Sequence, residues 1–257
     1  MIYVLSPAKR LDYTTPAVVA RTTTPQFVAR SAELIEVLRR RSVAEVRELM
    51  HLSQPLAELN VERYRRWRPR FTARNSKPAL LAFDGDVYEG LAASEFAADD
   101  LDWAQDHLAI LSGLYGVLRP LDRMQPYRLE MGTALATKAG RNLYEFWGDA
   151  LAEHLNRRAA AQATPVIVNL ASQEYFRAVD RRALTPRVVE CVFEDWSDGA
   201  YKVIGFFAKR ARGLMARHAI TQRIGHPEGL LAFDADGYRH APAASRPDRL
   251  VFRRRRD

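Results

Sequence analysis

The sequence predicts a single mixed α/β domain, with α+β character, built on a central mixed sheet. Helical and strand-like segments are interspersed along the 257 residues. Apolar runs such as "IYVL", "LAIL" and "PVIVNL" are continuous rather than alternating, the pattern of strands buried on both faces. No internal repeat or long linker divides the chain. Residues 1–257 are therefore expected to form one domain, and 47% hydrophobic residues are ample for its core.

In chain order, "IYVL" (2–5) is the first strand. "TPQFVARSAELIEVLRRR" (24–41) reads as a helix with Thr24 as N-cap, Pro25 at its first position and Phe27, Leu34, Ile35 and Leu38 on one face. "SVAEVRELM" (42–50) has Ser42 and Glu45 at capping-box spacing. A short helix from Ser53 and another through "VERYRRW" (61–67) follow. "ALLAF" (79–83) and "LAIL" (108–111) read as strands, with a helix, "DDLDWAQDHL" (99–108), between them. "NLYEFWGDALAEHLNRRAAA" (142–161) reads as one helix and "PVIVNL" (165–170) as a strand. "RVVECVF" (187–193), "AYKVIGFF" (200–207) and "RLVF" (249–252) are strands, and "AKRARGLMARHAI" (208–220) is a helix. Segment 111–132, "LSGLYGVLRPLDRMQPYRLEMG", has neither period but many bulky apolar side chains, so it is expected to pack into the molecule as an irregular loop. The arginines from Arg253 to Arg256 read as a solvated, mobile end.

The formal charge of +8 favours an anionic partner: nucleic acid, a phosphorylated small molecule or an acidic surface. A solvated basic surface is the plainer alternative. The lone Cys191 excludes a disulfide framework and, within an apolar run, reads as a buried thiol. No signal-peptide pattern opens the chain and no apolar run approaches membrane-spanning length, so a soluble cytoplasmic protein is expected. GxGxxG, the Walker A loop and GxSxG are absent, and the six histidines have no metal-site spacing; neither cofactor nor metal is expected.

Polar clusters follow four of the apolar runs directly: Ser6 to Lys9, Asp84 to Tyr88, Ser112 to Gly116, and Asn169 with Ala171 to Tyr175. If the four runs are parallel strands, these clusters meet at the edge where open α/β sheets bind ligands. Each cluster also reads as an ordinary turn or cap, Ser172 as a helix N-cap for instance. In the loop, Arg119, Asp122, Arg128 and Glu130 either pair with one another or leave one arginine free for a phosphate or carboxylate.

Two stretches are basic and contain no acid. Arg63 to Lys77 interleaves Arg63, Arg65, Arg66, Arg68, Arg70, Arg74 and Lys77 with Tyr64, Trp67 and Phe71. Ala200 to Pro227 carries Lys202, Lys209, Arg210, Arg212, Arg217 and Arg223, with Lys209 and Arg212 on one helical face. Such stretches suit a phosphate backbone with stacking support, or else a solvated face over core aromatics. The segment before the first stretch reads helix, tight turn, helix, a shape that can present N–H groups to phosphates, although the glycine-rich hairpin of common versions is missing.

"LSPAKRLDY", "LMHLSQPLAELNVERYRRW", "FDGDVYEGL", the whole 111–132 segment, "NLYEFWGD", "NLASQEYF" and "FFAKRARGLMARH" together resemble the bacterial peroxide stress protein YaaA family over nearly the whole chain. The resemblance implies a cytoplasmic protein that limits intracellular iron during hydrogen peroxide stress. It also implies a mixed α/β fold with a positively charged cleft, and binding of double-stranded or branched DNA through a helix-hairpin-helix-like element, placed here at about 43–67. No enzymatic activity comes with it. Asp84 stands where a related sequence has lysine, which removes one positive charge beside the expected cleft.

The leading expectation is DNA binding, with Arg63, Arg65, Arg66, Lys209 and Arg212 on phosphates. The rival is an enzyme acting on a nucleotide or nucleic acid at the strand-end cluster: Lys9, Asp86, Ser112, Tyr115, Arg128, Asn169, Ser172 and Glu174. There Lys9 and Arg128 would hold phosphate and Asp86 or Glu174 would serve as general base. Direct iron ligation by Asp84, Asp86 and Glu174 is a third reading.

Overall fold

β1 (Ile2–Leu5), buried along its whole length, leads through a bend into β2 (Arg10–Leu11). A computed structural model describes residues 1–255. α1 spans Val28–Arg39 and buries Leu34, Ile35 and Leu38. It does not start at Pro25, because Thr23 is held extended: its N–H donates to Leu121 O and its carbonyl accepts from Arg123 N, both at 2.8 Å. α2 (Val43–Met50) carries the expected capping box between Ser42 and Glu45. A short turn through His51, whose φ is 51°, reverses the chain into α3 (Gln54–Arg66). α3 is one helix where two were expected, with Pro55 tolerated in its first turn.

The expected strand at 79–83 is absent. β3 (Lys77–Pro78), α4 (Ala79–Ala82) and β4 (Phe83–Asp84) occupy its place. The first donors of α4 are taken by the irregular loop, Ala79 N by Asp122 O and Leu80 N by Pro120 O. Ala-Leu-Leu-Ala has no β-branched residue to oppose a helical turn. α5 (Asp86–Leu91) and α6 (Ala98–His107) follow, then β5 (Leu108–Ser112), β6 (Gly116–Leu118) and β7 (Arg123–Met124). The helix expected at 142–161 is two, α7 (Leu143–Trp147) and α8 (Ala150–Ala160), broken at Gly148 with φ 49°.

β8 (Val166–Asn169) and the single turn α9 (Gln173–Phe176) precede β9 (Arg187–Ser197) and β10 (Ala200–Lys202). The strand expected to reach Phe207 stops at Lys202, and both phenylalanines enter α10 (Gly205–Thr221). β11 (Arg239–His240) and β12 (Arg249–Arg254) close the chain. The arginine tail is a second correction. Arg253 lies 2.8 Å from Glu194, and Arg254, only 3% exposed, lies 2.6 Å from Asp195. A guanidinium can be buried so because a carboxylate meets it there. Arg256 lies outside the described residues.

The main sheet has eight strands in the order β11-β12-β9-β8-β1-β5-β6, with β10 beside β9. β12, β9, β8, β1 and β5 are mutually parallel; β6, β10 and β11 are antiparallel. The fold is therefore a mixed α/β domain on a central mixed sheet, with one core cluster running from Met1 to Phe252. α10 packs on α5, and Tyr3 Oη donates to Ile224 O at 2.8 Å just beyond the end of α10. The helix thus starts towards the C-terminal edge of the parallel strands. Among the described residues, no helix is long and apolar enough to cross a membrane.

Candidate functional site

Three of the four polar clusters follow adjacent parallel strands, β8, β1 and β5, and so share an edge. The fourth, at Asp84 to Tyr88, is not at a strand end of the main sheet but still reaches that edge. Tyr88 Oη donates to Ser6 O at 3.0 Å. Asp84 pairs with Arg10 at 2.5 Å across the β2–β4 ribbon, so its charge is compensated there.

Ser6, just past β1, is the hinge of the arrangement. Its Oγ accepts from Ser172 N at 2.8 Å and donates to Ser172 Oγ at 3.2 Å. Ser172 occupies the N-cap position of α9, yet its side chain caps nothing and faces Ser6 instead. Asn169 Oδ1 accepts from Ala171 N at 2.9 Å and shapes the turn after β8. Ser112 lies 2.6 Å from Tyr127 Oη, and its Oγ accepts from Tyr115 N at 2.9 Å. The Tyr115 hydroxyl is met by Trp67 Nε1 and Gln125 N, both at 2.9 Å. Ser112 and Tyr115 are both fully buried, engaged by protein groups beneath the loop, and burial pushes the Tyr115 phenol well above its ordinary range.

The 111–132 segment packs into the molecule as expected. Of its two charge arrangements, pairing is the one observed. Asp122, 1% exposed, lies 3.1 Å from Arg119 and accepts from Thr23 Oγ1 at 2.6 Å. Burial nevertheless raises its pKa, against those hydrogen bonds. Glu130 lies 2.9 Å from Arg128 and 2.7 Å from Lys9. Burial opposes its ionisation, but the two cations prevail and lower its pKa. Glu174 accepts from Gly132 N at 3.0 Å and so ties α9 to the end of the loop. The side chain of Asp86, the first residue of α5, has no hydrogen bond or ion pair among the described residues.

The structure thus brings Lys9, Arg128, Ser172 and Glu174 together at one edge, with Asn169 and Asp86 on its flanks. Asp84, Asp86 and Glu174 do not converge as iron ligands. Among the described residues, no group of three or more His, Cys, Asp or Glu can hold a metal ion. A depression of about 990 Å³ beside the end of β8 and the start of β9 is lined by Asn169, Gln173, Arg177, Arg187, Glu190 and Asp248.

The residues expected to contact DNA divide into three kinds. Arg65 and Arg66 are exposed at the end of α3, Arg66 in an ion pair with Glu62. Lys209 is exposed on α10. Arg63 and Arg212 are partly buried. Arg63 donates to Asn60 Oδ1 at 3.3 Å and faces inward; burial lowers its pKa, Tyr13 and Tyr64 oppose this, and Arg128 adds to the lowering. Arg212 lies under the influence of Glu190, the register partner of Asn169, and its buried Nε has no hydrogen-bond partner among the described residues. The interleaved aromatics are core residues: Tyr64 and Trp67 are buried, and Phe71 packs against Trp67. Sequence reasoning missed that Arg63 turns inward rather than joining the exposed arginines. Its place one turn beyond the buried Asn60 on α3 was the available signal.

A family model described as "Peroxide stress protein YaaA" matches residues 1–244. A UPF0246 protein of Verminephrobacter eiseniae (strain EF01-2) is 65% identical over 99% of this chain and 98% of its own length. Relatives carrying the same UPF0246 designation are 63% identical in Paracidovorax citrulli (strain AAC00-1), over 99% of both chains, and 60% identical in Bordetella petrii, over 99% of this chain and 100% of that one.

Proposed function

This chain belongs to the peroxide stress protein YaaA family, and from that membership we propose that it acts in the cytoplasmic response to hydrogen peroxide, binding double-stranded or branched DNA and helping to limit intracellular free iron. The observation that carries DNA binding is the run of exposed arginines at the end of α3 and just beyond it. Arg65, Arg68, Arg70 and Arg74 are exposed and have no ion pair among the described residues. Unpaired guanidiniums on one short segment suit a phosphate backbone and make no demand on sequence. α2, the turn at His51 and α3 form the helix-hairpin-helix-like element of this reading, and Lys209 and Arg212 extend the contact from α10. The iron-limiting role rests on the family alone.

Salt-dependent binding of duplex and junction DNA tests this. Replacing Arg65, Arg66 and Arg68 by alanine is expected to weaken binding and to lower the slope of log affinity against log salt by about 2.7. Charge reversal at Lys209 and Arg212 is expected to weaken binding and flatten the slope further. Unchanged affinity and slope in both variants would refute the reading.

A second reading is favoured by the gathering of Lys9, Arg128, Ser172 and Glu174 beside parallel strand ends. There the chain acts on a nucleotide or nucleic acid, with Lys9 and Arg128 holding phosphate and Glu174 or the unpaired Asp86 as general base.

A further inference from the structure

We propose that a cavity at the N-terminal edge of the sheet, lined by Arg119, His154 and Arg158, binds a small oxyanion. The cavity sits at the opposite ends of the parallel strands from the Lys9–Arg128 cluster, and none of the arginines assigned to DNA lines it.

Its volume is about 540 Å³, within the range of small-molecule sites. The end of α6 contributes Asp106 and His107, the loop after β6 contributes Arg119, and α8 contributes His154 and Arg158. Arg158 is fixed in the wall. Its guanidinium donates to Leu108 O at 3.0 Å and to Gln105 O and Asp106 O at 3.1 Å, tying α8 to the start of β5. Arg119 is less engaged. Its side chain donates only to Asp122, at 3.1 Å, among the described residues, which leaves most of its fork for a ligand.

His154 is the residue that points to an occupant. It is 9% exposed and packs edge-on against Phe27. Neither of its ring nitrogens has a hydrogen-bond partner among the described residues. A neutral imidazole always carries one N–H, and a buried donor left unmet costs free energy. The side chain that carries this donor lines the cavity.

Charge decides what kind of molecule fits. Arg119 and Arg158 face the cavity with a single carboxylate, the exposed Asp106. Around them, Arg157 and the Met1 amino group, which donates to Gln162 at 3.5 Å, add positive charge. Asp122, buried against Arg119, and the exposed Glu153 of α8 subtract from it. Burial, first of all, lowers the pKa of His107 and of His154, so both rings are neutral at neutral pH. Cations therefore outnumber carboxylates. An oxyanion held by the Arg119 fork and the His154 N–H meets that excess with opposite charge.

NMR of the full chain, followed at the His154 ring, tests the site, because a local reporter ignores anions held at the other edge. Sulfate and oxalate are the probes, with sodium chloride at matched ionic strength as the reference. Near neutral pH, at least one probe is expected to shift the His154 resonances saturably. The midpoint of His154, about 4 without ligand, is expected to rise by about one pH unit with the anion bound. Acidification accordingly tightens binding. Arg119→Lys keeps a cation beside Asp122 but loses the planar fork, and is expected to weaken binding about fivefold. Thermal unfolding checks that this variant folds, and the titration of the unaltered chain decides the matter if it does not. Lys138→Ala removes an exposed charge outside the lining and should leave binding unchanged. A response to sulfate alone assigns a tetrahedral oxyanion and a response to oxalate alone a carboxylate; either supports the site, as do both together. No saturable shift of His154 beyond that of chloride, up to about 10 mM, overturns the proposal. So does a response that Arg119→Lys leaves unaltered.

Discussion

The stretch from Arg63 to Lys77 and the stretch around α10 are both basic and both free of acids within their own bounds, yet their charges have different fates. Around α10, distant segments supply the missing carboxylates. Arg217 lies 2.8 Å from Glu95, Arg223 2.7 Å from Asp100 and Arg210 3.9 Å from Asp236. From Arg65 to Arg74 the only such partner among the described residues is Glu62, one turn back on the same helix. α10 packs against α5, α6 and β9, whereas the arginines at the end of α3 are exposed. Whether a guanidinium is structural or available is decided by what packs against it, and local sequence holds no record of that.

Substitutions can break or sharpen this contrast. The largest expected effect is at Arg217, which donates to Leu91 O and Ala92 O at 3.2 and 3.0 Å as well as to Glu95, and covers the ring of Phe96. Arg217→Ala should lower stability by about 2 kcal/mol in denaturant titration, because it strands the carbonyls at the end of α5, and should leave DNA affinity unchanged. A large loss of DNA affinity without loss of stability would erase the distinction between the two regions.

Trp67→Phe comes next. It removes the hydrogen bond to Tyr115 and some buried surface, for a loss of about 1 kcal/mol, while the arginines around it stay exposed. DNA affinity should not change; a marked drop would mean that the aromatics of this segment stack on bases after all.

The smallest effect is at His154 on α8. Burial first, then Arg158, Arg157 and Arg119, lower its pKa to about 4. Its folded pKa lies below its ordinary 6.5, so the associated stability is complete above pH 6.5 and is lost as pH falls towards 4. His154→Gln should flatten the stability profile across that window, and histidine resonances followed by NMR should show one ring titrating near 4. This is a third fate for arginines: Arg158 donates to the carbonyls of Leu108, Gln105 and Asp106, and the histidine absorbs the uncompensated field.

What was legible in the sequence follows the same division. β1, β5 and β8 were readable because strands buried on both faces have no polar positions to interrupt them. The Ser42–Glu45 box and the α2–α3 turn were readable because local hydrogen bonds set them. α4 was not, since the loop at 120–122 claims its first donors, and neither was the start of α1, since Thr23 is held in place by the same loop. The strand-end cluster was anticipated through three of its four runs. The burial of Arg254 depends on a partner about sixty residues away in sequence, Asp195.

α5 and α10 meet through glycines. A Cβ at Gly213 would lie 1.8 Å from Val87 O, and one at Gly90 would lie 2.3 Å from Arg210 O. Backbone meets backbone there, with no side chain between to yield. The two helices are consequently geared together: a shift of one must drag the other, and Asp86 and Lys209, at their forward ends, travel as a pair. Alanine at either glycine would act like grit between gear teeth, displacing both residues at once without touching either.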